Sequence, residues 1–82
     1  MVLSHLPIKT IIADDCEAFL EGLGLMLSKD QRIEVIEVYH NGREVVESDA
    51  LSAANLLLMD INMPLMNGID AAIQINYMHP RL

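Results

Sequence analysis

Hydrophobic and polar positions alternate along the 82 residues in a way that separates strand-like runs from helix-like ones. Residues 7–13, Pro-Ile-Lys-Thr-Ile-Ile-Ala, are rich in β-branched side chains and bounded by a proline and an acid pair, which predicts a short central strand. From Glu17 to Ser28 the apolar residues Phe19, Leu20, Leu23 and Leu27 recur at helical spacing. Glu17 stands near the positive end of that helix dipole and Lys29 near the negative end, while Gly22 and Gly24 weaken it by about 1 kcal/mol each relative to alanine. Ile33 to Tyr39 predicts a second strand, in which Glu34 and Glu37 interrupt Ile33, Val35, Ile36 and Val38 as at a sheet edge exposed on one side.

Asn41-Gly42 marks the turn out of that strand, and a shorter helix is expected from Arg43 to about Ala53 with Val45, Val46 and Ala50 inward. The third strand runs from Asn55 to Asp60, and its continuous apolar stretch predicts burial on both faces. Beyond the Pro64 loop, Ile69, Ala72, Ile73 and Tyr77 mark a third helix that begins near Asn67 or Gly68 and stops before Pro80. Neither an internal repeat nor a low-complexity tract interrupts this order. Strands alternating with helices predict an α/β domain over residues 1–82, a three-stranded parallel sheet joined by right-handed crossovers and carrying three helices.

With strand order 2-1-3, the first and third strands are neighbours and their carboxyl ends open side by side at the topological switch point. Asp14 and Asp15 leave the first strand there, and Asp60 leaves the third. Three carboxylates so close repel one another, and a shared cation relieves the repulsion. Mg²⁺ suits such a set, because it prefers hard oxygen ligands, keeps several waters, and commonly uses one or two carboxylates with phosphate oxygens. A carboxylate beside that ion is also a nucleophile for a phosphoryl group, and Asp60, followed by a loop free to respond to new charge, is best placed for it.

Composition narrows the alternatives. Hydrophobic residues make up 52%, so the net charge of −7 decorates a folded body. Five scattered Lys and Arg residues give no basic patch, which argues against direct nucleic-acid binding and against anionic lipid. The single Cys16 cannot form an internal disulfide, the start of the chain has no secretory leader, and no apolar run is long enough to span a bilayer; the expectation is a soluble cytoplasmic protein.

Several residues carry ordinary structural readings. Gly22-Leu23-Gly24 lacks a third glycine and falls inside a helix, so it is no dinucleotide loop. Cys16 stands at a helix start, but two adjacent aspartates oppose its thiolate. His5, His40 and His79 show no metal-ligand spacing, and Met59, Met63 and Met66 suit irregular core gaps around the loop. Asp60 taken alone is an acid at a strand end, commonly a cap or turn residue; its conjunction with Asp14 and Asp15 changes that.

The pair Asp14-Asp15 and the run Met59-Asp60-Ile61-Asn62-Met63-Pro64-Leu65-Met66-Asn67-Gly68 resemble the receiver domain of two-component response regulators, whose fold is flavodoxin-like. By position, the resemblance implies that Asp60 is the phosphoacceptor, that Asp15 ligates Mg²⁺ directly, that Asp14 acts mostly through water, and that Asn62 offers its backbone carbonyl. Its implied partners are a sensor histidine kinase or a small acyl-phosphate donor. The stretch from Ile12 to Leu23 resembles the subgroup with a helix-turn-helix output.

The resemblance covers the first three of the family's five strand-helix units. The family's switching hydroxyl and phosphoryl-gripping lysine follow the fourth and fifth strands and have no position here, and Lys9 lies at the wrong end of its strand to substitute. A receiver cut after three units would leave the third strand as an apolar edge, so self-association burying that edge is expected. Two further readings stay open: a degenerate receiver serving only for interaction or dimerisation, and a haloacid-dehalogenase-like phosphatase. The second requires an acid where Asn62 stands.

Overall fold

A computed structural model describes residues 6–82, so His5 lies outside the described residues. Strand β1 (Ile8–Ala13), helix α1 (Glu17–Ser28), strand β2 (Ile33–Tyr39), helix α2 (Gly42–Val46), a 3₁₀ turn (Asp49–Ser52), strand β3 (Leu56–Met59) and helix α3 (Gly68–Met78) follow one another. All pairing is parallel and the strand order is β2-β1-β3, as expected from the alternation. Ile8 pairs with Ile33 and Ala13 with Tyr39 on one side of β1, while Thr10 to Ala13 pair with Leu56 to Met59 on the other.

Side-chain alternation along β1 divides the interior. Ile11 and Ala13 join Val45, Leu51, Met63, Ala71 and Ile75 in one buried cluster, formed with α2, the 3₁₀ turn and α3. Ile12 alternates to the other face, the side of α1, whose buried residue is Leu20. Thr10 is fully buried, and its hydroxyl donates to the Ile8 carbonyl at 3.1 Å, so the polar group has a partner.

The turn between α1 and β2 is fastened by a two-pronged ion pair. Asp30 accepts from the Arg32 backbone N–H and Nε at 3.0 Å each and from Nη2 at 2.7 Å. These bonds from the Arg32 side chain and backbone hold the Asp30 carboxyl down at about 2.

Four expectations change. The helix expected over residues 43–53 is interrupted: α2 ends at Val46, and Ser48 starts a separate 3₁₀ turn by accepting from the Ala50 N–H. Ser48 also bonds the Tyr39 hydroxyl at 2.5 Å, so its side chain competes with continued helix. Phe19 is exposed, while Leu20 from the same apolar set is the residue α1 buries. In α3 the buried residues are Gly68, Ala71 and Ile75, whereas Ile69, Ile73 and Tyr77 face outward. Finally, β3 is not buried on both faces: Leu57 and Met59 are half-buried and Leu56 and Leu58 exposed, because α1 packs mainly over β2 and leaves that face of β3, one of the two sheet edges among the described residues, open.

Candidate functional site

Strand ends build the site. The Asp14 N–H donates to the Tyr39 carbonyl at 3.1 Å and the Asp60 N–H to the Ala13 carbonyl at 3.0 Å, so the sheet's hydrogen-bond ladder carries one step past the strands and fixes both backbones. Asp14, Asp15 and Asp60 each offer a carboxylate oxygen, and these oxygens lie within 4.8 Å of one another. Asp14 and Asp60 are half-buried and Asp15 is exposed. Asp14 accepts from the Cys16 N–H at 2.9 Å, which shapes the turn into α1, and Asp60 accepts from the Ile61 N–H at 2.8 Å.

No described cation compensates these acids. Among the described residues Asp30 pairs with Arg32 and Glu17 contacts His40, and neither pair involves the three aspartates. A compact, uncompensated set of hard oxygens, open to water on the Asp15 side, is the donor chemistry that Mg²⁺ takes. The residues present therefore fit that ion. Asn62 is exposed on the loop two residues beyond Asp60. Lys9 is exposed at the opposite end of β1, where its N–H and carbonyl bond Asn55.

Two glycines hold the loop after Asp60. The Gly68 N–H donates to the Ile61 carbonyl at 2.7 Å, and a Cβ on Gly68 would stand 2.1 Å from the Asp60 carbonyl oxygen. The Gly42 N–H donates to the Met66 carbonyl at 3.0 Å, and a Cβ there would stand 2.2 Å from that oxygen. Met63 is buried beneath the loop and Asn67 caps α3 by accepting from the Asp70 N–H at 2.8 Å. His40 Nε2 lies 2.6 Å from a Glu17 carboxylate oxygen, and the His40 backbone N–H donates to the Glu44 carboxylate. Sequence reasoning found the acids; it missed the His40–Glu17 link and the role of Gly42, whose only signal was the turn dipeptide Asn41-Gly42. Gly22 and Gly24 lie inside α1 with open space around them, which agrees with loose packing.

A family model described as the response regulator receiver domain matches residues 10–82. This chain belongs to that family. The receiver is 36% identical over 75 residues to a protein-glutamate methylesterase/protein-glutamine glutaminase of Vibrio cholerae, covering 92% of this chain and 20% of that protein. Among solved structures it is similar to the response regulator domain of Thermotoga maritima CheB, with 28% identity, a TM-score of 0.82, and coverage of 89% of this chain and 55% of that one. It is also similar to RcsB of Salmonella enterica bound to promoter rprA in the presence of phosphomimetic BeF3−, with 25% identity, a TM-score of 0.79, and coverage of 92% and 63%.

The receiver thus spans a fifth of the methylesterase it matches and about half to two-thirds of the two structures. One relative is named for an esterase and another is bound to DNA, so the shared part is the receiver and not a common output. No described helix is long and apolar enough to cross a membrane.

Proposed function

We propose that this receiver accepts a phosphoryl group on Asp60 with Mg²⁺ held by Asp14, Asp15, Asp60 and the backbone carbonyl of Asn62. The observation that carries the reading is the meeting of three uncompensated carboxylates at the ends of β1 and β3. An Asp60 oxygen attacks phosphorus as the bond to the donor breaks, leaving an aspartyl phosphate. With a small acyl phosphate the donor departs as a carboxylate with the bonding electron pair; with a sensor histidine kinase it departs as imidazole. When bound, Mg²⁺ supplies neutralisation of the charge on the phosphoryl oxygens. The ladder bonds at Asp14 and Asp60 keep the acids in place.

Incubation with Mg²⁺ and acetyl phosphate is expected to add one phosphoryl group by intact mass, and Mg²⁺ titration to move the carboxylate shifts of Asp14, Asp15 and Asp60. Absence of both, in folded protein, would leave an interaction module. Steady turnover of a phosphate ester would instead favour the phosphatase reading, against which Asn62 stands.

A second property of the isolated 82 residues rests on a groove of 710 Å³ beside β3, lined by apolar residues that include Leu56, Ile61, Ile69 and Ile73. The outward stripe of α3 and the edge of β3, unpaired among the described residues, form its two walls, and this apolar area supports self-association of these residues when studied alone. Light scattering is expected to give a mass above that of one chain at micromolar concentration; a monodisperse monomer would remove this property.

A further inference from the structure

Asp60 is fixed through its backbone to β1, but the loop that follows it is held from another quarter. Its Met66 N–H bonds the Pro64 carbonyl at 2.7 Å, two residues back, and Leu65 between them has a φ of 66°. That is a γ-turn with the central residue in the left-handed region, a strained conformation for any residue but glycine. Strain of this kind persists only where surrounding contacts over-determine it. The contact made at Met66 itself is with Gly42, the buried first residue of α2. Its N–H donates to the Met66 carbonyl, and its missing side chain is what allows the two backbones to meet.

We propose that Gly42 is a positioning residue for the Asp60 site: through the Met66 carbonyl, α2 clamps the Asp60–Gly68 loop in its strained form and so sets where Asp60 and the Asn62 carbonyl point. The clamp belongs to α2 as a unit, because Asn41 caps that helix by accepting from the Glu44 N–H at 2.8 Å while Glu44 accepts from the His40 N–H at 2.9 Å. His40, the residue that follows β2, is thereby tied to a loop that starts from β3, although β2 and β3 are not neighbours in the sheet. A Cβ at Gly42 meets backbone, which cannot rotate away, so the contact between α2 and the loop must shift.

The consequence for Mg²⁺ rests on the site reading above, whereas the positional consequence does not. In metal-free protein, Gly42→Ala is expected to shift the amides of residues 61–67 and the Asp60 carboxylate carbon, leaving α1 and β1 amides and the far-ultraviolet spectrum unchanged. In the same variant the Mg²⁺ affinity is expected to fall roughly tenfold, the scale on which residues that orient metal ligands act. Asn41→Ala, which loosens the helix without adding atoms, should move the same signals less far, and it carries the test if Gly42→Ala does not fold. Gly24→Ala, where nothing lies within 4 Å, is the control and should move neither.

Unmoved Asp60 shifts in Gly42→Ala or Asn41→Ala would overturn the clamp, as would moved shifts with unchanged Mg²⁺ affinity. If the parent protein binds no Mg²⁺, the acid-site reading fails on its own, and the clamp is then decided by the metal-free shifts.

Discussion

Asp60→Asn is expected to abolish phosphoryl uptake from acetyl phosphate, while making the metal-free protein more stable. Both effects come from one geometry. The substitution keeps the shape and the backbone bonds at the end of β3 but removes the nucleophilic oxygen, and an amide nitrogen or carbonyl does not replace it. It also removes one of three carboxylates whose oxygens lie within 4.8 Å of each other without a described cation between them. At such separations each like-charge pair costs on the order of 1 kcal/mol even in a water-like dielectric. In metal-free, low-salt buffer the variant should therefore melt higher than the parent. Saturating Mg²⁺ should reverse the order, since ligand binding to the folded state alone raises the parent's stability with metal concentration. Intact mass after acetyl phosphate treatment and melting curves with and without Mg²⁺ check the two halves. Phosphoryl uptake at the parent level would move the acceptor away from Asp60, and a variant that melts lower than the parent in metal-free buffer would mean that the acids are not in mutual repulsion.

Much of this arrangement was legible in the chain because the relevant signals are local. Helix α1 and strand β2 occupy the spans that hydrophobic periodicity assigns them, and β1 begins one residue after the expected proline. The acids were equally legible: each ends an apolar run, and parallel order 2-1-3 forces the ends of β1 and β3 together. What escaped depends on contacts between distant residues. The break after Val46 needs Ser48 to find the Tyr39 hydroxyl, nine positions away and on another element. The face of α3 was misplaced because that helix has two apolar stripes: Ala71 and Ile75 enter the core, while Ile69 and Ile73 line the groove along β3. Periodicity alone does not rank two stripes; only the position of α2 does. Phe19 and Leu58 follow the same pattern, since both line a 350 Å³ hollow that borders Asp14 and Asp60 and are not enclosed by the described residues.

Glycines show the same limit most sharply. Gly22 and Gly68 are indistinguishable by propensity, yet they face opposite surroundings. At Gly22 an added Cβ meets nothing within 4 Å, so alanine there should gain up to about 1 kcal/mol of helix stability. At Gly68 the same atom would stand 2.1 Å from the Asp60 carbonyl oxygen and 3.0 Å from both the Asp60 carbonyl carbon and Ile61 Cα, all of them backbone. Relief then requires α3 to retreat from β3 or the chain after Asp60 to bend, and either movement strains the 2.7 Å bond from the Gly68 N–H to the Ile61 carbonyl.

Overpacking of this kind costs typically about 1 to 3 kcal/mol. For a domain whose total stability at roughly 0.05 to 0.15 kcal/mol per residue is about 4 to 12 kcal/mol, that is a large fraction. Gly68→Ala is thus expected to lower the urea midpoint markedly at an unchanged slope, and to weaken Mg²⁺ binding roughly tenfold because the moved atoms belong to Asp60 itself. Gly22→Ala, measured alongside, should raise the midpoint. A Gly68→Ala protein as stable as the parent, with parent Mg²⁺ affinity, would mean that the start of α3 does not press on the end of β3.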